Sequence, residues 1–486
     1  MVAPIRSKAI QAKQSIAIVG GGFTGSILAA HLLRCADGPT SVHLIERAAA
    51  IGTGVAYSTR NSAHLLNVRA NNMSAFPDDP GHFVRWLGTR DGQDEASASG
   101  HAFVSRACYG AYVQDVLAEA RASAPPHVTL NVVRGEVVDV MPKPSAVHLR
   151  LAAGVSLPVD KVALCVGHFP PSPPSMAAPE VLNSHRFIGD PWDLPAIAAI
   201  DPDETIMIFG TGLTMVDTVL TLTDQGHRGP IVAVSRRGLL PLAHEETHPY
   251  KSFLCPDVMP RTVLDVLIAL KADVQRARAD GIGWRSVFDA LRPYHHRIWR
   301  FLPLEERRRF LRHARPYWEV HRHRMAPEVA TRIEAARASG QLTVRAGRLR
   351  SLTLMENGIE AVFAERGGGP VRSLRVGAVI NAAGPECDYQ RIRHPLVRAL
   401  LDRGLARPDA LRLGLDVTED GALIDADGLV SRRLFAFGPA GKAPFWEMTA
   451  VPELRSQCAQ AARRLAGGPA MPLPPLSVQS EASRRV

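Results

Sequence analysis

The 486-residue sequence predicts an α/β protein with parallel sheets and a helical insert. Three observations predict it. A short apolar run, a glycine-rich turn and an apolar helix follow one another twice, starting near residues 15 and 205, and the stretch from about 244 to 340 has mostly helical periodicity. Continuous apolar runs of four or five residues are typical of strands buried on both faces of a parallel sheet.

The first strand–turn–helix unit begins at Ser15. Residues 16–19 form the apolar run, and Gly20, Gly22 and Gly25 follow with the spacing G-x-G-x-x-G. In such a turn the first glycine allows the tight bend, the second lets the backbone approach a pyrophosphate, and the third lets helix and strand pack closely. The helix N-terminus offers free N–H groups to the phosphates. The unit therefore predicts a dinucleotide site.

A second strand, residues 42–46, follows this helix and ends in Glu46, 21 residues after Gly25. A carboxylate at this position accepts hydrogen bonds from the ribose hydroxyls of an adenosine and repels a 2′-phosphate. A glycine turn without a ligand is the less favoured alternative. The glycine- and proline-rich stretch 52–80, which includes Gly54, is typical of a functional loop. A flavin buried along the domain would need such a loop.

The second unit repeats the pattern with two departures. Gly210 and Gly212 match, but Met215 stands where glycine or alanine is usual, which we expect to loosen the contact between helix and strand. The next apolar strand ends in Arg236 and Arg237 instead of an acid, and arginine there pairs with the 2′-phosphate of NADP. Two solvated surface arginines are the alternative. Together the units predict two Rossmann-like dinucleotide-binding domains, with the helical insert in the second.

Charge and composition narrow the classes of ligand. The formal net charge is +10, and residues 244–332 contain 15 Arg and two Lys against 11 acidic residues. No nucleic-acid-binding motif accompanies this basic stretch, so a solvated helix face or a site for a small anion is favoured. The six cysteines form no C-x-x-C pair, which excludes a redox dithiol and a structural zinc site. No metal site is predicted.

The N-terminal residues lack the apolar stretch of a signal peptide, and no apolar run is long enough to span a membrane. We therefore expect a cytoplasmic protein with neither a membrane nor nucleic acid as partner.

Two dinucleotide units about 190 residues apart, the second inserted before the first domain is complete, resemble the two-dinucleotide-binding-domain flavoproteins, which bind FAD and then NAD(P)H. Four motifs carry this resemblance: Gly20–Gly25 with Glu46, Ala163–His168, Gly210–Gly212 and Leu434–Gly438. The resemblance implies an FAD-binding domain over 1-180 and 375-466, an NAD(P)H-binding domain over 181-374 that includes the insert, and a flexible tail over 467-486.

The same resemblance implies the cofactor residues. For FAD they are Gly20, Gly22, Gly25, Glu46, Gly54, Gly438 and Glu447, and for NADPH or NADH as co-substrate they are Gly210, Gly212, Arg236 and Arg237. One departure concerns Pro439, because flavoproteins often place Asp after this glycine to hold the ribityl chain. Glu447 or backbone groups would have to substitute for it.

The absence of a redox cysteine pair makes the chain similar to flavin-containing monooxygenases and N-hydroxylases. A closer resemblance, to a bacterial FAD/NAD(P)-binding family thought to include FAD-dependent urate hydroxylases, is carried by four segments: Gly52–Ser58, His64–Asn67, Phe76–Pro80 and Tyr317–Arg324. It implies an oxidoreductase of the monooxygenase class that uses NAD(P)H and dioxygen to hydroxylate a small anionic metabolite, with urate to 5-hydroxyisourate as the specific reaction.

Arg322 and His323 are the candidates for binding the substrate anion and carrying a proton, since arginine pairs with flat anions through two hydrogen bonds and histidine titrates near neutral pH. Two other classes stay open. One is an NAD(P)H-dependent flavoprotein reductase or oxidase without oxygen insertion, and the other is a non-catalytic FAD-binding sensor protein. The sequence leaves the oligomeric state open.

Overall fold

The computed structural model describes residues 13–90, 99–251 and 260–468. The N-terminal part of the chain forms a parallel sheet with helices against it and a small antiparallel sheet. Its elements are β1 (Gln14–Val19), α1 (Phe23–Cys35), β2 (Thr40–Glu46), α2 (Gly54–Tyr57), α3 (His82–Gly88), α4 (Arg106–Ala122), β3 (Val128–Arg134), β4 (Val137–Pro142), β5 (Val147–Leu151), β6 (Ser156–Val159) and β7 (Lys161–Leu164).

The middle of the chain forms a second sheet and the helical insert. Its elements are α5 (Pro179–Leu182), β8 (Phe187–Ile188), α6 (Leu194–Ala198), β9 (Ile206–Phe209), α7 (Leu213–Asp224), β10 (Ile231–Ser235), α8 (Val263–Ala279), α9 (Trp284–Ala290), α10 (His295–Phe301), α11 (Leu304–Arg309), α12 (Arg315–Arg322), α13 (Pro327–Ala338), β11 (Leu342–Met355), β12 (Gly358–Glu365), β13 (Val371–Val376) and β14 (Ala378–Asn381).

The C-terminal part returns to the first sheet. Its elements are α14 (Pro395–Asp402), β15 (Ala422–Ile424), β16 (Val430–Ala436) and α15 (Val451–Leu465). A π-helical turn, Phe310–Ala314, joins α11 to α12, and short 3₁₀ helices cover Ala70–Asn72 and Gly438–Gly441. Among the helices in the described ranges, none is both long enough and apolar enough to cross a membrane.

The first sheet has the order β15-β16-β7-β1-β2-β3, in which β15 alone is antiparallel to its neighbour. Its central strands are fully buried: Ile16 and Ile18 of β1 have no exposed surface, and neither has Ala163 of β7. Helix α1 is buried from Phe23 to Leu33, because it packs between this sheet and helices α4 and α15. An apolar sequence on all sides is what a helix in that position requires.

The alternating sequence at 128–157 is typical of a β-meander, but its first strand joins a different sheet. β3 extends the parallel sheet beside β2, with Leu130 opposite Val42, while β4, β5 and β6 form the antiparallel sheet. Val128 and Leu130 alternate toward the core, which suits an edge strand with one covered face as well as a meander strand.

The second sheet has the order β13-β12-β11-β10-β9-β14-β8 and is parallel from β8 to β11. β14 pairs with β9 and β8, so it belongs to this sheet, although the sequence assigns residues 375-466 to the first domain. The chain therefore returns after β14, near residue 382. The outgoing and returning segments lie side by side, since Phe169 and Glu386 form an antiparallel bridge.

The insert lies between β10 and β11 in sequence, yet it packs on the first domain. The indole N–H of Trp299 on α10 donates to the carbonyl oxygen of Ala443 at 2.9 Å, and the imidazole of His296 contacts the carbonyl oxygen of Phe445. The segment between β16 and α15 is therefore covered by helices from the middle of the chain.

Candidate functional site

The first glycine turn leaves no room for side chains. Gly20 has a φ of +104°, and a β-carbon there would lie 2.3 Å from the carbonyl oxygen of Cys165. A β-carbon on Gly25 would lie 1.9 Å from the carbonyl oxygen of Gly20. Gly22 is the N-cap of α1, so the first N–H groups of the helix, which lack partners within it, point out of this turn. The turn therefore has the geometry of a pyrophosphate site.

The loop after β2 folds back over this turn. The backbone N–H of Gly52 donates to the carbonyl oxygen of Gly21 at 2.7 Å. Gly54 has a φ of +51°, and a β-carbon on it would lie 3.2 Å from the Cα of Gly22. Two glycine backbones thus face each other where a dinucleotide would pass. The structure brings Gly54 to the predicted cofactor region.

Glu46 lies at the end of β2, beside the glycine turn. One carboxylate oxygen accepts the backbone N–H of Gly21 at 2.6 Å, and the other accepts that of Ala48 at 2.8 Å. These bonds hold the carboxylate at the strand end, where ribose hydroxyls are bound in dinucleotide folds.

Gly438 borders the first glycine turn from the end of β16. It follows β16 with a φ of +68°, and a β-carbon there would lie 2.8 Å from Oγ1 of Thr24 in the first turn of α1. Its own N–H donates to Oε1 of Gln457 on α15 at 2.8 Å, a buried side chain that the sequence analysis missed. The structure therefore places Gly438 next to the predicted site, with its amide committed to the protein. Pro439 is the second residue of the short 3₁₀ helix Gly438–Gly441.

These observations fit a bound dinucleotide such as FAD. A β-carbon would fill the cradle at Gly20, Gly22 and Gly25, and the helix N-terminus and Glu46 offer groups for phosphate and ribose.

The second glycine turn repeats this geometry. Gly210 has a φ of +119°, and a β-carbon there would lie 2.2 Å from the carbonyl oxygen of Ala382. Gly212 caps α7 and has open space where its side chain would be. Met215, which replaces the usual third glycine, is fully buried in the core of the second domain. Its side chain packs between helix and sheet and leaves no exposed gap there.

The two predicted NADP arginines differ in their surroundings. Arg237 donates to the hydroxyl of Tyr317 at 2.9 Å and lies over its ring. A hydrogen bond from Arg366, together with the charge of Arg237, lowers the pKa of this tyrosine. Arg236 is exposed and makes no hydrogen bond or ion pair within the described ranges. Arg236 is therefore the freer of the two to meet a phosphate.

Three sequence candidates lie in one buried cluster. Glu447 is 4% exposed, and one of its oxygens accepts the Nε hydrogen of Arg322 at 3.0 Å. The other oxygen accepts the indole N–H of Trp318 at 2.5 Å. Burial alone raises the pKa of Glu447, but Arg322, followed by His295 and His323, outweighs burial and lowers it far below the usual range. Glu447 is therefore an anion whose two oxygens both accept hydrogen bonds from the insert. It could bind a ribityl chain, as the sequence predicts, only if one of these bonds were broken.

A second carboxylate extends the cluster. Glu453, at the start of α15, forms two hydrogen bonds with Arg292, at 2.9 and 3.1 Å. Nη2 of Arg322 lies 3.8 Å from the same carboxylate, beyond hydrogen-bond distance. Burial raises the pKa of Glu453, but the charges of Arg292 and Arg322 outweigh it and bring it to about 2.

His295 is the most buried titratable base of the cluster. Its Nδ1 lies 2.5 Å from the carbonyl oxygen of Arg292, so Nδ1 carries the hydrogen and donates. Nε2 is then an acceptor; it is buried, has no hydrogen-bond partner among the residues that the structure describes, and lies 3.7 Å from Glu447. Burial lowers the pKa of His295 to about 4. The imidazole is therefore neutral at pH 7, with a free lone pair next to a carboxylate that would stabilise its protonated form.

His323 ends α12 next to Arg322. Its backbone N–H donates to the backbone carbonyl oxygen of Glu319 at 2.8 Å, and burial lowers the pKa of its imidazole. Its neighbour Arg324 is 1% exposed; its side chain contacts Asp289, and its Nε and Nη1 have no hydrogen-bond partner in the described part of the chain. The sequence analysis missed Arg324, His295 and Trp318, since a basic helical stretch looks like a solvated face when its packing is unknown.

The two domains are joined by a buried ion pair near the second glycine turn. Arg106 at the start of α4 forms two hydrogen bonds with Asp217 on α7, at 2.8 and 3.0 Å. His64 adds a contact, because its Nε2 lies 3.0 Å from Oγ1 of Thr221 and its Nδ1 lies 2.8 Å from Oγ1 of Thr59.

These features define an α/β fold of two dinucleotide-binding domains, and the fold class expected from the sequence is confirmed. Residues 17–169 match a family model described as FAD-NAD(P)-binding, which agrees with the expected cofactors. No curated protein sequence matches the chain.

Solved structures with this fold cover nearly all of the chain. An ornithine hydroxylase from Pseudomonas aeruginosa, in its reduced form, is 17% identical with a TM-score of 0.63, and the match covers 94% of this chain and 99% of that one. An FAD-bound cadaverine monooxygenase from Erwinia amylovora is 14% identical with a TM-score of 0.62, covering 94% of both chains. An ornithine N-hydroxylase from Kutzneria, with reduced FAD, NADP⁺ and ornithine, is 14% identical with a TM-score of 0.57, covering 93% and 99%.

These likenesses establish the fold alone. The three proteins are described as hydroxylases or monooxygenases of amines, and the resemblance to urate hydroxylases finds no support in them.

Proposed function

We propose that the protein is an FAD-dependent, NAD(P)H-using monooxygenase whose small substrate is held by the buried cluster of Arg292, His295, Arg322, Glu447 and Glu453. The observation that carries this proposal is the combination of two glycine turns of dinucleotide geometry with a buried set of titratable groups between the insert and the first domain. The three solved structures described above are hydroxylases or monooxygenases by description, which supports this reaction class.

FAD bound at the first turn supplies hydride acceptance from NAD(P)H and activation of dioxygen for transfer of one oxygen atom. The chain supplies binding and orientation. Gly20, Gly22 and Gly25 allow close approach of the backbone to a pyrophosphate, and Glu46 is placed to accept ribose hydroxyls. Gly210 and Gly212 allow the same close approach of the backbone at the second turn. Arg236 would pair there with a 2′-phosphate and thereby favour NADPH over NADH.

The hydrogen-bonding state of the cluster favours an anionic substrate. The carboxylates of Glu447 and Glu453 are each paired with an arginine, so neither is free to receive an amine. Within the described ranges the acceptor Nε2 of His295 is unpaired, but so are three buried donors: Nη2 of Arg322 and the Nε and Nη1 atoms of Arg324. Buried donors without acceptors are costly, by about 1–3 kcal/mol each, and an oxyanion would satisfy them.

His295 is placed to take a proton from such a substrate. Its neutral Nε2 lies beside Glu447, which would stabilise the imidazolium once formed. The helices of the insert cover this position and reduce the access of water, which a monooxygenase needs to limit unproductive oxygen reduction. His323, the proton carrier suggested by the sequence, stays a second candidate.

The test is NADPH oxidation in air by the FAD-loaded protein with urate, and separately with ornithine, lysine and cadaverine. We expect urate to raise the rate and one atom of labelled dioxygen to enter the product. Arg322→Gln should raise the KM for the anion at least tenfold, whereas Arg308→Gln, which changes an exposed arginine, should not. Stimulation by an amine alone would refute the anionic substrate and keep the monooxygenase.

Two outcomes would replace the proposed class. Peroxide formed in equal amount to NADPH consumed, with no labelled product for any compound, would identify a reductase or oxidase. Bound flavin that neither NADPH nor NADH reduces would identify a non-catalytic sensor.

A further inference from the structure

A cysteine and a lysine from distant parts of the chain meet where the two domains join. Nζ of Lys442 donates to Sγ of Cys387 at 3.3 Å. Lys442 follows the 3₁₀ helix after β16 and is 8% exposed. Cys387 lies on the returning segment after β14 and is half-buried. The pair therefore connects the last strand of the first sheet with the segment that returns from the second.

Lys442 is unusual because no carboxylate within the described ranges forms an ion pair with it. Lysine is almost never buried unless its charge is paired. Within the described ranges the acceptor of its ammonium group is the sulfur of Cys387, and the thiolate is the reactive form of cysteine.

A further polar group lies close to the pair. Within the described ranges the hydroxyl of Tyr389 is buried without a hydrogen-bond partner, and burial, with a smaller effect from Cys387, raises its pKa. A sulfur atom, an amine and a neutral phenol are thus brought together.

We propose that Cys387 and Lys442 are a redox pair that forms a reversible sulfur–nitrogen bond on two-electron oxidation by a peroxide. The 3.3 Å separation is within the range of about 3–3.5 Å at which reacting atoms are held in near-attack geometry. This property is separate from the proposed monooxygenase activity, and hydrogen peroxide is the oxidant.

The reaction balances in two steps. The thiolate of Cys387 attacks one peroxide oxygen, the O–O bond breaks, and the products are a sulfenic acid and hydroxide, which takes a proton to become water. The amine of Lys442, after giving its proton to solvent, attacks the sulfur; the S–N bond forms, the S–O bond breaks, and a second water leaves. Two thiols reverse the bond by forming a disulfide between themselves and restoring thiol and amine.

The bond would tie the returning segment to the end of the first sheet. Because Phe169 and Glu386 already pair the two crossing segments, the added link would restrain the connection between the domains.

The test exposes the purified full-length protein to about one equivalent of hydrogen peroxide without NADPH or substrate, alkylates the remaining thiols, and digests it for mass spectrometry. We expect a linked pair of peptides that joins Cys387 to Lys442 and weighs two hydrogen atoms less than their sum. Dithiothreitol should restore both peptides. A failure of this test leaves the proposed function untouched, since no turnover is involved.

Two comparisons keep the result specific. Lys442→Arg preserves the charge but removes the amine, so Cys387 should react with a sulfenic-acid probe and form no link. Cys35, a half-buried cysteine whose charged neighbours include arginines and no lysine, should stay unlinked in the wild-type protein. Full alkylation of Cys387 after peroxide, or its oxidation without a link to Lys442, would overturn the proposal.

Discussion

Replacement of Glu453 by glutamine tests the energetics of the buried cluster. In the folded protein the pKa of Glu453 is about 2, against an ordinary value of 4.5. At 1.36 kcal/mol per pH unit, this difference corresponds to about 3 kcal/mol of stabilisation. Breaking a buried ion pair by removing one partner costs about 3–5 kcal/mol by mutational experience, which agrees in size. We therefore expect Glu453→Gln to destabilise the protein by about 3 kcal/mol at pH 7.

The pH dependence follows from the direction of the shift. Because the pKa is lower in the folded state, the stabilisation is complete above about pH 4.5 and is lost as the pH falls toward 2. At pH 3 the difference between wild type and Glu453→Gln should shrink to about 1 kcal/mol. Comparing two proteins at each pH cancels the titration of most other groups.

Urea unfolding followed by tryptophan fluorescence is a suitable assay, since Trp299, Trp318 and Trp446 lie in or against the insert. With a slope of about 2 kcal/mol per molar urea, the midpoint should fall by about 1.5 M at pH 7. Glu305→Gln is the matched control, because Glu305 and its partner Arg308 are both exposed, and it should change stability by less than about 0.5 kcal/mol. A variant as stable as wild type, or a difference that does not change between pH 7 and pH 3, would refute the reasoning.

Three other predictions concern the cofactor sites and the domain junction. Gly25→Ala should abolish FAD retention, measured by flavin absorbance after gel filtration, because the added β-carbon has no space. Gly88→Ala, where the β-carbon would meet open space, should retain FAD. Equal retention by the two variants would contradict the predicted site. Arg236→Gln should raise the KM for NADPH about tenfold and leave the KM for NADH unchanged. The control is Arg228→Gln, which changes an exposed arginine paired with Asp203 and should alter neither KM. Equal effects on both nucleotides would argue against phosphate recognition. Asp217→Asn should destabilise the domain junction by about 3 kcal/mol, because it leaves a buried arginine unpaired. The loss should be measurable as faster hydrogen exchange in α4 and α7. Unchanged exchange in both helices would show that the ion pair does not hold the domains together.

The strand–turn–helix units could be predicted from sequence because their signals are local. Gly20, Gly22 and Gly25 are close in sequence, and the backbone geometry they permit is nearly independent of the rest of the fold. The sheet to which β14 belongs could not be predicted from the local sequence. Its apolar run, followed by Gly384, resembles that of β7, followed by Gly167, and only pairing with β9 decides between the sheets.

The cluster could be predicted in part. Arg322 and Glu447 were each singled out for separate reasons, but their 3.0 Å contact joins residues 125 positions apart, and no periodicity encodes such a distance. His295 and Trp318 lie in helices whose charged sequence is also compatible with a solvent-exposed face. Tertiary packing alone turns that face inward. The partner of Arg237, Tyr317, was hidden for the same reason.

The interrupted first sheet has a consequence for synthesis on the ribosome. Val162 of β7 waits for its neighbour Leu434 of β16, which is translated ~270 residues later. At about 5–20 residues per second, this delay is on the order of 15–50 s. During that time one edge of a largely apolar strand has no partner, while the second sheet, complete at Asn381, is free to assemble. The nascent chain therefore finishes its inner domain before its outer one, and the edge of β7 stays exposed to wrong pairing until β16 is translated.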